Sequence, residues 1–207
     1  MTIALPPVLA GLGLGLALAS APGPVQAVLL SEAVRGGVAR GFRAMAGASL
    51  TFGLLLVALA LGLSVAPPSG PLLRVLEVLG GGFLVWLAID GLRSGHEVDE
   101  ASGGHRTLPP SARGVLAVLI NPGAWLFLGT AAASLFAAAS ETGGRGAALL
   151  AALALVVGLA VGDGAVVLIG GLGLRRASDR VALWVRRILA LLLAALGVWL
   201  IVDGLIG

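Results

Sequence analysis

Ala21-Pro22-Gly23-Pro24 and Asn121-Pro122-Gly123 each interrupt a long apolar run, and each opens one half of a chain whose halves repeat. Downstream landmarks keep their order: Gly47, Gly53, Leu61, Gly62 and Leu63 recur as Gly158, Gly164, Leu172, Gly173 and Leu174. Val85-Trp86-Leu87-Ala88-Ile89-Asp90-Gly91-Leu92 returns as Val198-Trp199-Leu200-Ile201-Val202-Asp203-Gly204-Leu205, with six of eight positions identical. A duplicated unit with matched helix breaks points to a membrane transporter whose site lies between the repeats.

The composition places the chain in a bilayer. Of 207 residues, 58% are hydrophobic and 11% charged, with a mean hydropathy of +1.08, far from a soluble globular composition. The net charge of +3 comes from thirteen Arg and no Lys. These residues gather in short segments between apolar runs, so they report topology rather than a nucleic-acid partner. The absence of Cys excludes disulfide frameworks, thiolate metal sites and paired-thiol redox chemistry.

Crossing the hydrocarbon core takes about 20 mostly apolar residues, and six segments qualify, at about 4–30, 44–66, 71–92, 111–138, 146–172 and 184–206. Ala17-Leu18-Ala19 has the small-residue pattern of a cleaved signal peptide. No Lys or Arg precedes it and the apolar run continues to Leu30, so the segment is expected to be a span. The first, third and fifth connections carry Arg35, Arg40 and Arg43, then Arg93, Arg106 and Arg113, then Arg175, Arg176, Arg180, Arg186 and Arg187. The second and fourth carry only Arg74 and Arg145. Positive charge stays cytoplasmic, so odd connections face the cytoplasm and both termini face outward. The expected fold is all-α and polytopic: six transmembrane helices as two inverted three-helix repeats, residues 1–93 and 111–207, joined by a cytoplasmic linker at 94–110 that holds His96 and His105.

The breaks are the expected site. Proline lacks an N–H and its ring collides with the carbonyl four residues back, so Pro22, Pro24 and Pro122 free the carbonyls of Leu18, Ser20 and Val118. A helix restarting beyond each break offers first-turn amides and a positive dipole end to a carboxylate, while freed carbonyls suit an ammonium. The two poles together match a zwitterion. Ser20, Gly23, Gln26, Asn121, Gly123 and Trp125 complete the expected substrate-binding set with the three prolines. Simple kinks, satisfied by neighbours, are the bland alternative.

Asp163, between Gly162 and Gly164 in the fifth span, is the expected proton-coupling group, because a carboxylate there is expensive and usually faces a cavity or a partner. The matching position in the first repeat is Phe52. Asp90 with Arg93, and Glu77 with Arg74, have the spacing of helical ion pairs. Glu32 either meets a substrate or marks the cytoplasmic end of the first helix, and Asp203 near the outer end of the sixth span is expected to reach water. Gly11 with Gly15, and Gly158 with Gly162, have the i, i+4 spacing of close helix packing. No metal, cofactor or catalytic constellation is legible, and an enzyme is not expected.

Ala21-Pro22-Gly23-Pro24 followed by an Arg- and Gly-containing turn, Gly47 in an apolar second helix, Gly80-Gly81-Gly82 to Gly91-Leu92, and Asn121-Pro122 together resemble the lysine exporter superfamily (LysE/RhtB) over nearly the whole chain. The resemblance implies export of amino acids or related small metabolites across the cytoplasmic membrane, driven by protons or membrane potential rather than ATP. It leaves room for a homo-oligomer and for a superfamily exporter of some other substrate. The chain departs from the family where Gly123 replaces a Lys after Asn-Pro and where no acid stands near Thr51 and Phe52. With one acid in the membrane interior, a neutral amino acid is favoured over a dibasic one. The rival reading is a non-transporting membrane scaffold or assembly subunit.

Overall fold

The computed structural model describes residues 5–21, 23–63, 69–93, 108–175 and 179–206. Among these the chain is helical and contains no strand. The helices are α1 (Leu5–Ser20), α2 (Pro24–Ala60), α3 (Pro71–Arg93), α4 (Pro110–Leu119), α5 (Pro122–Phe127), α6 (Ala133–Arg175) and α7 (Asp179–Ile206), with a π-helical stretch, Leu128–Ala132, joining α5 to α6. Four apolar stretches are long enough to cross a membrane, Pro24–Ala60, Pro71–Asp90, Pro122–Gly173 and Leu183–Ile206, and Leu5–Ser20 and Pro110–Leu119 are shorter apolar helices. The chain is a polytopic, all-helical membrane protein. Pro22, both histidines and residues 94–107 of the linker lie outside the described residues.

Proline sets where helices begin. α2, α4 and α5 each carry Pro in the first turn, where a missing N–H costs nothing because first-turn amides have no partner within the helix. The expected breaks therefore stand, between Ser20 and Pro24 and between Leu119 and Pro122. Two of the three carbonyls expected to be freed, those of Leu18 and Val118, are not simply left open, however. The Ala21 amide donates to Ala17 O at 3.1 Å and Leu18 O at 3.2 Å, and the Asn121 amide donates to Val118 O at 3.3 Å. The last turn tightens before each break and absorbs those acceptors.

A straight 37-residue α2 would reach about 55 Å at 1.5 Å per residue, far beyond the ~30 Å hydrocarbon core. It does not run straight. Gly36 (φ −136°, ψ 17°) and Gly37 (φ 79°, ψ −178°) leave the helical region, and Gly41 then packs against Ala33, so the chain doubles back. The same dihedral pair recurs inside α6 at Gly143 (φ −145°, ψ 19°) and Gly144 (φ 66°, ψ −170°). Backbone of the Gly37 kind, with positive φ and extended ψ, is open only to glycine.

Close helix packing follows the small residues. A Cβ on Gly11 or Gly15 would strike backbone of Ala151 or Leu155, and one on Gly158 would strike Leu12, so α1 lies parallel to the second arm of α6. Gly47 and Gly114 bring the second arm of α2 onto α4 in the same way. Gly81 and Gly197 face each other across α3 and α7, which run antiparallel because Gly204 meets Arg74 and Glu77. In lipid there is no hydrophobic drive between helices, so such backbone proximity supplies the contact. The largest buried cluster, including Phe52, Leu56, Leu128, Leu155 and Leu159, lies between α1, α2 and the α5–α6 segment.

Candidate functional site: a cavity between the two helix breaks

A cavity of about 230 Å³ opens where the two breaks meet, lined by Leu18, Ala21, Gly23, Pro24, Val25, Gln26, Ala48, Phe52, Val118, Asn121, Gly123, Ala124, Leu159 and Asp163. Twelve of these form six equivalent pairs. An offset of 100 carries Leu18, Ala21, Gly23 and Pro24 onto Val118, Asn121, Gly123 and Ala124, and an offset of 111 carries Ala48 and Phe52 onto Leu159 and Asp163. Val25 and Gln26 stand outside the pairing. Most pairs are apolar or glycine on both sides; the chemical differences fall at Ala21 and Asn121, at Phe52 and Asp163, and at Gln26.

Asp163 is 1% exposed and accepts a hydrogen bond from Gln26 Nε2 at 3.1 Å. No Arg or Lys lines the cavity. The carboxylate is thus held by an amide that leaves its charge unneutralised, in surroundings where charge is costly. Across the cavity Phe52, 4% exposed, packs against Phe127 with ring centroids 5.9 Å apart. α5 is capped by its own sequence, since the Gly123 amide donates to Asn121 Oδ1 at 3.0 Å. α2 starts from Gly23 with no side-chain cap, so its first turn faces the cavity without a protein acceptor on Val25 or Gln26 from that position.

The expected site residues divide. Gly23, Pro24, Gln26, Asn121, Gly123 and Asp163 meet at the cavity. Three do not line it. Ser20 Oγ donates back to Leu16 O at 2.8 Å in its own helix, Pro122 is buried beside Gly80, and Trp125 Nε1 donates to Leu119 O at 2.7 Å, bridging the second break. Ala21 and Gly123, at the cavity margin, are exposed.

Toward the Gly36–Gly37 turn lies a second assembly of polar groups. Glu32 and Arg113 are both 0% exposed. Arg113 Nη1 donates to Glu32 Oε1 at 2.9 Å and Arg113 Nε to Leu108 O at 3.0 Å, while Nη2 makes a 2.8 Å ion contact with Asp90 Oδ2, off the hydrogen-bond axis. Arg40 Nε donates to Glu32 Oε2 at 2.6 Å, Arg35 Nη1 donates to Asp90 Oδ2 at 2.8 Å, and the Arg113 guanidinium lies 5.2 Å from the Trp86 ring centroid. Three guanidiniums and two carboxylates join both arms of α2 to α3 and α4. Glu32, which the sequence left as a substrate contact or a boundary residue, is engaged here by Arg40 and Arg113 and does not line the cavity. Asp90 is held by Arg35 and Arg113, and the side chain of its expected partner, Arg93, lies outside the described residues. Spacing along one helix cannot reveal partners on two others. The usable signal was Arg113 and Glu32 standing within apolar segments, where charge implies a partner.

Between the cavity and this cluster sit Val28, Leu29, Ala44, Ala117 and Val167, none more than 2% exposed. Among the described residues no group of three or more His, Cys, Asp or Glu is placed to hold a metal. Comparison with curated proteins and with solved structures yields no match. The family model for LysE type translocators matches residues 16–204, a stretch that takes in both breaks, the cavity and the ion cluster. The chain belongs to the LysE type translocator family, a family of transporters rather than enzymes.

Proposed function

We propose that this protein is a secondary exporter of neutral amino acids across the cytoplasmic membrane, coupled to protons. The family supports export of amino acids or similar small molecules; the finer reading rests on the cavity. Its carrying observation is the meeting of both helix breaks around one unneutralised carboxylate, Asp163, bonded to Gln26. An ammonium group is met by Asp163, and the uncapped first turn of α2 presents amides of the polarity a carboxylate needs. One acid and no base in the cavity leave nothing to neutralise a second charged group on the substrate, which favours a neutral side chain.

The transport cycle we infer uses two inverted three-helix repeats. The reversals at Gly36–Gly37 and Gly143–Gly144 divide the long helices, giving spans at residues 5–35, 38–60, 71–93, 110–142, 145–175 and 179–206. The six equivalent lining pairs and the exchange of packing, α1 on the second arm of α6 and α4 on the second arm of α2, support a two-fold in the membrane plane. Repeats of this kind rock about a fixed midplane site. With odd connections cytoplasmic, the cluster of Glu32, Arg35, Arg40, Asp90 and Arg113 closes the cytoplasmic side, and opening to the cytoplasm separates α3 and α4 from α2. Protonation of Asp163 from the outside displaces the ammonium and releases the substrate there, and loss of that proton to the cytoplasm frees the carboxylate for the next substrate, so export is linked to proton entry.

Counterflow in proteoliposomes against a panel of labelled amino acids tests the reading. Exchange of neutral amino acids above leak is expected. A scaffold passes none, and that outcome removes the proposal.

A further inference from the structure

The cavity is pseudo-symmetric in position but not in chemistry, and the sharpest difference is one pair. Ala48 and Phe52 on α2 occupy the places that Leu159 and Asp163 occupy on α6. The two carrier arms run antiparallel: Gly53 faces Val156, while Gly164 faces Phe42 and Gly41 meets Val167. Phe52 is thus level with the neighbourhood of Val156, and Asp163 stands seven residues farther on, about 10 Å away at 1.5 Å per residue. The cavity therefore has a carboxylate at one end and an aromatic ring at the other.

We propose that Phe52 selects the side chain of the transported amino acid, so that the preferred substrates carry apolar side chains lying against its ring while the α-ammonium rests on Asp163. This deepens the export reading and rests on it. The ring is held by its surroundings, since Phe52 is 4% exposed and Phe127 packs against it with centroids 5.9 Å apart. A charged side chain placed at this end loses its hydration and finds no opposite charge, a cost that discriminates strongly against it. An apolar side chain gains contact there at no such cost. The substitution Phe52→Asp gives both ends of the cavity the same chemistry, which suits a substrate with two ammonium groups.

The test is competition in proteoliposome counterflow with labelled leucine. In the wild type, unlabelled methionine and valine are expected to compete at least tenfold better than lysine. Phe52→Asp is expected to narrow or invert that ratio by at least tenfold. Phe52→Ala, which needs no buried charge to fold, is expected to shift preference toward tryptophan by a similar factor, and Phe52→Leu to keep the wild-type ranking. If folded, transporting Phe52→Ala and Phe52→Leu both retain the wild-type order of competitors, Phe52 does not select and the proposal falls while the export reading stands. If the wild type exchanges no amino acid, the export reading fails and takes this inference with it.

Discussion

The backbone reverses twice through the same pair of glycine conformations, at Gly36–Gly37 and at Gly143–Gly144, yet the surroundings of the two turns are opposite. The first is bound by Glu32, Arg35, Arg40, Asp90 and Arg113, with two of those side chains fully buried. Around the second, residues 141–146 are all exposed. Thr142 donates only to carbonyls of its own helix, at 3.2 Å to Ala138 O and 3.1 Å to Ala139 O, and among the described residues Glu141 and Arg145 make no ion pair. Identical local geometry thus carries a lock at one end of the molecule and none at the other. A symmetric pair of repeats holding equal contacts at both ends has no preferred state. In the proposed cycle, contacts this unequal would favour closure at the Gly36–Gly37 end.

The largest effect that probes this contrast is expected from Arg113→Ala. Removing the fully buried cation leaves Glu32 to Arg40 and Asp90 to Arg35, at a cost of up to about 3–5 kcal/mol, read as a large drop in thermal stability in detergent. Arg145→Ala at the other turn should change stability by less than about 0.5 kcal/mol. Comparable losses from the two would erase the distinction between the ends. A double replacement, Glu32→Gln with Arg113→Met, should recover much of the loss while leaving the Gly36–Gly37 end easier to label at an introduced cysteine, because a neutral pair holds closure less firmly than an ionic one.

Next in size are the turns themselves. Gly37→Ala and Gly144→Ala each place a Cβ on positive-φ backbone at about 1–3 kcal/mol, and similar stability losses are expected from both. Transport should separate them: the Glu32–Arg40 bond spans the first turn and, among the described residues, nothing comparable spans the second, so Gly37→Ala should slow exchange more than Gly144→Ala. Equal exchange rates would detach the ion cluster from the cycle.

Asp163→Asn is expected to leave the fold intact and to reduce proton-driven flux at least tenfold, about 1.4 kcal/mol. The residual exchange should be flat with external pH, whereas the wild type responds to it. A variant with normal flux and an unchanged pH profile would remove Asp163 from coupling. The smallest expected effect is Ser20→Ala, since its hydroxyl bonds Leu16 within α1 and does not line the cavity; substrate affinity should move by less than about twofold, within the range of an exposed substitution.

The sequence by itself determined the membrane class, the positions of the helix breaks, the internal repetition and the candidacy of Asp163. Each follows from local chemistry: apolar length, proline's missing N–H, glycine's backbone range and the cost of an isolated carboxylate in lipid. It also placed Gly23, Pro24, Gln26, Asn121 and Gly123 near one another by the logic of matched breaks. Ser20, Pro122 and Trp125, expected beside them, do not line the cavity, because each is a polar or helix-breaking residue next to a break whose direction depends on the turn it occupies. Only the tertiary structure decided that Gln26 reaches Asp163, that Phe52 and Asp163 share one cavity, and that Arg113 gathers Glu32 and Asp90 from two other helices. Those pairings join residues 137, 111 and 81 positions apart, or link α4 back to α3. A one-dimensional pattern encodes which face of a helix must be covered; which helix covers it follows from packing all of them at once.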